Sequence, residues 1–261
     1  MNLCLVTAAD IEFRTIARLT GAQPVAPAHD APRVWRACTP AHEITLLQCG
    51  VGAIGFAGQL QRHLQKTKYD ALLIPGLGGG LDPALGAGDT VLYEKCHLAT
   101  APASETMRQA PPYVTCDGNL LAAMHSIFDR AGLPCARGAG ITTEHIVTTA
   151  REKQRLREET GAAVVDMESY MLLEICGASG VPAAVMRVIS DTAARDLPDF
   201  NRALDARGHM STAATTLALL QKPVAAAHFL RGLPPVLRAF EKSVSVLLSA
   251  EWCPATPGHD G

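Results

Sequence analysis

Short apolar runs alternate with stretches of helical spacing along this chain. Leu3–Val6 is the first run, and Glu12–Leu19 follows with apolar residues on one helical face. Arg33–Cys38 and Ile44–Cys49 read as strands, after which Gly50–Gly52 turns the chain into a helix near Ile54–Leu64. Ala71–Pro75 is another strand, ending in Gly76-Leu77-Gly78-Gly79-Gly80. Turn residues at Asp82-Pro83 and Gly86–Asp89 precede a strand at Thr90–Tyr93. Ala99–Thr115 holds prolines and polar residues without a period and reads as an excursion or loop. Asn119–Ala131 is amphipathic, with Leu120, Met124, Ile127 and Phe128 on one face. Gly138–Thr142 opens a further strand, and Arg151–Thr160 reads as a charged surface helix. Ala163–Val165 and Ala183–Ile189 are strands, while Met167–Ser179 and Met210–Gln221 are helical. The alternation predicts an α/β fold in one domain, a mostly parallel or mixed sheet with helices on both faces.

Composition removes several alternatives. The 261 residues suffice for one large α/β domain with a substantial core. With 48% hydrophobic and 18% charged residues, global disorder is excluded. A net charge of −2 gives no electrostatic reason to bind nucleic acid. The eight cysteines form no Cys-x-x-Cys pair and several sit in apolar runs. That pattern points to a reducing cytosol, not to a disulfide framework or a zinc site. Met1–Thr7 has no basic leader region, so no secretory signal is expected there. No uncharged apolar run reaches the roughly eighteen residues of a membrane helix. A cytoplasmic location is the expectation.

Candidate chemistry lies at two strand ends. Val164-Val165-Asp166-Met167-Glu168-Ser169 and Arg187-Val188-Ile189-Ser190-Asp191 deliver Glu168 and Asp191 to one edge of the sheet. Ligands of open α/β sheets bind outside the carboxyl ends of the strands. Two acids there suit a hydroxyl-rich substrate and a proton to be moved. Each acid also has a plainer use, because Asp after a strand caps helices and Glu suits a first helical turn.

Gly50-Val51-Gly52-Ala53-Ile54-Gly55 matches the dinucleotide fingerprint and follows a strand, so a nicotinamide oxidoreductase is a competitor. The fingerprint also needs an acid at the end of the next strand. Asp70 stands before Ala71–Pro75, at the wrong end of it. These glycines are read instead as backbone that approaches an oxyanion, a ribose or a water closely.

Five stations, Ala8–Glu12, Gly50–Gly52, Gly76–Asp89, Val165–Ser169 and Val185–Asp191, together resemble the purine nucleoside phosphorylase and nucleosidase superfamily. The resemblance is closest to the methylthioadenosine/S-adenosylhomocysteine nucleosidases and runs from Met1 to about Gln221. It implies a central mixed, partly barrel-like sheet flanked by helices, assembled as a homodimer or larger homo-oligomer. The implied activity is cleavage of the N-glycosidic bond of an adenosine-type nucleoside, which needs no metal or organic cofactor.

The resemblance also implies residue roles. Asp191 gives a proton, or a strong hydrogen bond, to N7 of the leaving purine. Glu168 accepts from the ribose hydroxyls, with Met167 beside the sugar. Glu12 orients or deprotonates the attacking water, and Arg187 helps to hold it. Ser190 positions Asp191, the backbone of Val147 reads the purine edge, and Gly50, Gly52, Gly76 and Gly78 form glycine-rich loops near water or phosphate. Departures from the family pattern bear on the reaction. Ile74 and Leu77 stand where phosphorylases hold phosphate with an arginine and a serine, which favours hydrolysis over phosphorolysis. Ile146 stands where the nucleosidases stack an aromatic ring on the base.

Residues 1–221 are thus read as the catalytic domain, 222–250 as an apolar, basic, amphipathic extension, and 251–261 as a disordered tail. In the extension, Val236, Leu237, Phe240, Val244, Leu247 and Leu248 fall on one helical stripe. Residues 222–242 carry four basic side chains against one acid. The stripe packs on the domain or a partner subunit, or it lies in a membrane interface. Such a tail, with Gly80–Leu85 and Pro198-Asp199-Phe200, resembles the hopanoid-associated branch of the superfamily. That branch acts on adenosylhopane, a triterpenoid joined to the 5′ carbon of adenosine, in bacteriohopanepolyol synthesis. The resemblance implies a lipid-linked substrate and peripheral contact with the inner face of the membrane.

Overall fold

A computed structural model describes residues 1–25, 33–53, 55–99, 113–203, 217 and 219–252. One sheet contains β1 (Asn2–Thr7), β2 (Gln23–Pro24), β3 (Val34–Cys38), β4 (Glu43–Gln48), β5 (Ala71–Gly80), β6 (Thr90–Leu98), β7 (Tyr113–Thr115), β8 (Cys135–Thr142), β9 (Val164–Asp166) and β10 (Ala183–Asp191). The helices are α1 (Asp10–Thr20), α2 (Ala57–Lys66), α3 (Gly118–Arg130), α4 (Ala150–Thr160), α5 (Ser169–Ala178) and α6 (Pro223–Ser249).

β5, β10, β6, β8 and β9 pair in turn, and β9 returns to β5, closing a barrel-like circuit. β1, β4, β3 and β2 continue from β5 as an open wing. Parallel pairs (β1 with β4 and β5, β5 with β10) mix with antiparallel ones (β6 with β10, β5 with β9). The fold is the expected single α/β domain with a mixed, partly barrel-like sheet. The inner strands are buried on both faces, which explains their nearly continuous apolar runs in β1, β4 and β10.

One edge of β5 places the candidate site. β10 follows β5 along most of its length. On the other side β1 covers only Ala71–Leu73, and β9 pairs only with Gly79 and Gly80. Over Ile74–Gly78 that edge has no strand partner among the described residues. Pro75, which has no N–H to give, sits in this gap. Glu12, from the first turn of α1, reaches it and accepts from the Leu77 N–H.

Several expectations change. Gly76–Gly80 is not a loop after the strand but its second half, so Gly76 and Gly78 are strand residues. Tyr113–Thr115, inside the expected excursion, forms β7 against Lys95–His97, while residues 100–112 lie outside the described set. The expected helix Met210–Gln221 also lies mostly outside it. Arg151–Thr160 is helical but not simply a surface helix, because Lys153 and Leu156 are buried.

The C-terminal extension joins the core. Val236, Phe240, Val244, Leu247 and Leu248 are buried in the same core as the sheet, beside α1 and α3. The Thr90 and Ser243 hydroxyls are 2.9 Å apart and buried, and Arg18 pairs with Glu241 at 2.9 Å. The apolar stripe is therefore packed on the domain, the first of the two alternatives that its pattern left open. Within the stretch 251–261, Trp252 is buried and its Nε1 donates to the Leu247 carbonyl at 2.9 Å. Residues 253–261 lie outside the described set. Among the described residues, no helix is long and apolar enough to cross a membrane.

Phe240→Ala should cost about 3–5 kcal/mol, as for a fully buried aromatic, whereas exposed Leu230→Ala should stay within about 0.5 kcal/mol. Chemical denaturation measures both. Equally small losses would mean that α6 is not part of the core.

Candidate active site

The site is organised around one buried guanidinium. β10 pairs in register with β5, so Arg187 stands opposite Gly76. A Cβ on Gly76 would come within 1.9 Å of Arg187 Nη1 and 3.1 Å of Glu12 Oε1. Glycine is required here for space. Arg187 donates from Nε to Asp166 Oδ2 at 3.1 Å, and from Nη2 to Ser169 Oγ at 2.8 Å and Glu168 Oε2 at 3.5 Å. Burial disfavours its charge, but Asp166 and Glu168 outweigh that and hold the guanidinium firmly protonated.

Three carboxylates surround this cation, in different environments. Asp166, at the end of β9, accepts from Thr142 Oγ1 at 2.7 Å, Ser169 Oγ at 2.5 Å, the backbone N–H groups of Glu168 and Ser169, and Arg187. Burial pushes Asp166 up, but Arg187 and these hydrogen bonds more than reverse it, leaving the carboxyl below its ordinary range. Glu168 precedes α5 and accepts from the Gly52 N–H at 2.8 Å. Burial dominates its balance, and the Asp166 and Glu12 charges add to it against Arg187 and Gly52, so Glu168 rises to about 7. Glu12, in the first turn of α1, accepts from the N–H groups of Ala8, Ala9 and Leu77 at 3.1, 2.9 and 2.8 Å. It reaches back to the Ala9 N–H at the helix start and is raised by burial, with Arg187 opposing.

A second cluster forms at the end of β10, where a register shift follows Ile189. Ser190 Oγ lies 2.5 Å from Asp191 Oδ1 and 3.0 Å from the Gly78 carbonyl. The Lys153 ammonium, fully buried, donates to Asp191 Oδ2 and to the carbonyls of Thr192 and Arg195 at 2.9 and 3.0 Å. The two clusters meet along the glycine run of β5. Gly76 admits Arg187, the Gly78 carbonyl faces Ser190, and a Cβ at Gly79 would lie 3.5 Å from Asp191 Oδ2.

The segment around Val147 is tied down from the far side. Asn201 clamps Ile146 at both ends of its peptide, Oδ1 accepting from its N–H at 2.7 Å and Nδ2 donating to its carbonyl at 3.0 Å. The Leu197 N–H donates to the Thr148 carbonyl at 2.8 Å. The Val147 side chain is core, packed with Leu81, Ile141 and Val165. His145 turns outward to Glu152 at 2.9 Å.

Glu12, Arg187, Glu168, Gly52, Gly76 and Gly78 are thus drawn together, and Ser190 joins Asp191 to Gly78. Met167 is half-buried beside them, and Gly50 and Gly52 both take φ of 77°, which turns the Gly52 N–H toward Glu168. Ile74 is core and Leu77 contributes a backbone amide. Sequence reasoning missed Asp166, Lys153 and Asn201. Only Lys153 left a trace, lying three residues before Leu156, the lone apolar residue of Arg151–Thr160. Among the described residues, no group of three or more His, Cys, Asp or Glu side chains is arranged to hold a metal ion.

Comparison with known proteins places the fold. The chain resembles the methylthioadenosine/S-adenosylhomocysteine nucleosidase from Neisseria meningitidis in complex with methylthio-immucillin-A, with 16% identity, a TM-score of 0.71, and 95% and 98% of the two chains covered. It resembles the corresponding Helicobacter pylori enzyme with butyl-thio-DADMe-Immucillin-A at 16% identity and a TM-score of 0.70, covering 94% and 97%. Futalosine hydrolase of Helicobacter pylori is similar at 17% identity and a TM-score of 0.66, covering 89% and 96%. The sequence profile of the phosphorylase superfamily matches residues 2–226. With nearly the whole described domain inside that match, this chain belongs to the phosphorylase superfamily.

Proposed function

We propose that this superfamily member is an N-ribosyl hydrolase that releases adenine from a 5′-substituted adenosine. One observation carries the preference for water over phosphate. The backbone amides that could cradle an anion already donate to the protein's own carboxylates, Leu77, Ala8 and Ala9 to Glu12 and Gly52 to Glu168. A phosphate dianion would face those acids, and Ile74 and Leu77 offer it no cation. A neutral water suits the same place, next to a buried carboxylate able to take its proton.

In this mechanism Glu168 accepts from the ribose hydroxyls beside Met167, and the Val147 segment, with Ile146 as an apolar wall, receives the purine. Asp191, held by Ser190, gives its proton to N7 as the C1′–N9 bond breaks and the bonding pair moves into the base. Glu12, with Arg187 behind it, takes a proton from the water that adds to C1′.

The 5′ group of adenosylhopane is the proposed substituent, supported by the resemblance of Gly80–Leu85 and Pro198–Phe200 to the hopanoid-associated branch. With the α6 stripe buried, peripheral membrane contact would fall to Leu217, Leu220 and Leu230, which are exposed near Lys222 and Arg231. A homodimer is part of the same reading.

Adenine release from adenosylhopane and methylthioadenosine, followed by mass spectrometry with and without phosphate, tests the reaction. Phosphate-independent release is expected, and a ribose 1-phosphate product would replace hydrolysis by phosphorolysis. Turnover of methylthioadenosine alone would remove the lipid substrate. Asp191→Asn should lose about 10²–10⁴-fold in kcat with the melting temperature retained. With Glu168 at about 7, its carboxyl is neutral below that pH and charged above it. Only the charged form is a full acceptor for two hydroxyls, so kcat/KM should rise through about pH 7 and Glu168→Gln should flatten that limb. A rise that survives Glu168→Gln would assign it to another group.

A further inference from the structure

Lys153 is the buried cation that the mechanism above does not use. Along α4, Arg151, Arg155, Glu158 and Glu159 are exposed, while Lys153 is completely buried. Its three ammonium protons meet three acceptors, Asp191 Oδ2 and the Thr192 and Arg195 carbonyls. As a stability device such a pair has little to recommend it, since well-packed apolar residues commonly do as well. Its position is more informative, because the partner is the acid at the end of β10.

We propose that Lys153 is a positioning residue of the nucleosidase reaction, acting through Asp191. The proposal rests on the functional reading above. Lys153 holds Oδ2 from α4, and Ser190 meets Oδ1 from β10. Gripped at both oxygens, the carboxyl group has no freedom to turn. Charge adds to orientation. As the C1′–N9 bond breaks, its electron pair moves into the purine and the Asp191 proton passes to N7. Asp191 is left as a carboxylate, and the ammonium on Oδ2 stabilises that charge as it develops. An interaction that strengthens along the reaction lowers the barrier without tightening substrate binding.

The test is a double-mutant cycle on the full chain with methylthioadenosine and adenosylhopane as probes. Lys153→Met should lower kcat roughly tenfold to a hundredfold, a part of the about 10²–10⁴-fold that a placed general acid contributes. KM should move less than about threefold. In the Asp191→Asn background the same substitution should lower kcat no further. A loss of equal size in both backgrounds, a loss carried by KM, or a lowered melting temperature with unchanged kcat would each overturn the proposal. Should Lys153→Met fail to fold, Lys153→Arg, which keeps the cation at a different reach, is read by the same criteria. A wild-type chain that releases no adenine, with or without phosphate, removes the functional reading and this proposal with it. Wild-type turnover in the Lys153 variants removes only the role of Lys153.

Discussion

A single guanidinium without solvent contact dictates much of this molecule. Burying Arg187 is tolerable only with counter-charges and hydrogen-bond acceptors at hand. Asp166, Glu168 and Ser169 supply them from the β9–α5 junction. The side chain also needs a volume that any other residue at position 76 would occupy. That requirement ties β10, β5, β9 and the start of α5 into one arrangement. Along the edge of β5 that no strand covers among the described residues, Glu12 accepts from the Leu77 N–H. The barrel-like closure and the site are two aspects of the same packing.

Much of the fold could be read from the sequence because inner strands announce themselves. Apolar runs such as Leu3–Val6 and Ala183–Ile189 are long enough to be strands and too short to be helices. Glu168 and Asp191 were visible because the apolar runs before them stop there. The glycines of β5 were misread for a physical reason. Glycine is a poor strand former and normally marks a turn, and nothing local reveals that a side chain 111 residues away, Arg187, fills the missing Cβ. Lys153 shared its stretch with other charges, and only a distant carboxylate distinguishes it. Asn201 meets Ile146 across 55 residues, which no local pattern encodes. The α6 stripe was legible as a stripe, but an amphipathic helix does not say whether its apolar face meets a core or a lipid surface.

Hydrolysis and phosphorolysis on such a framework differ in who owns the backbone amides. A nest of N–H groups is neutral in sequence terms and can serve any anion. Here Glu12 and Glu168 occupy it from within, at the cost of bringing acids close to one another. Burial raises both carboxyls, and for Glu168 the Asp166 and Glu12 charges add to it. An arrangement that raises its own acids in this way leaves Glu168 a carboxyl that changes charge at about pH 7.

Asp166 and Glu168, two residues apart and sharing Arg187, show how environment separates scaffold from chemistry. Five donors converge on Asp166, so its charge is already satisfied and its carboxyl is held low. Such a group has nothing left to offer a substrate. Glu168 has one amide and a longer contact to Arg187, which do not offset burial and the neighbouring negative charges. Its acceptor capacity is incompletely used, and it sits at about 7, where a small change in surroundings moves a whole charge. Pairs of acids pushed apart in this manner divide their labour by environment. On that basis Asp166 builds the site by fixing Arg187, and Glu168 is the acid that a hydroxyl-bearing ligand would complete.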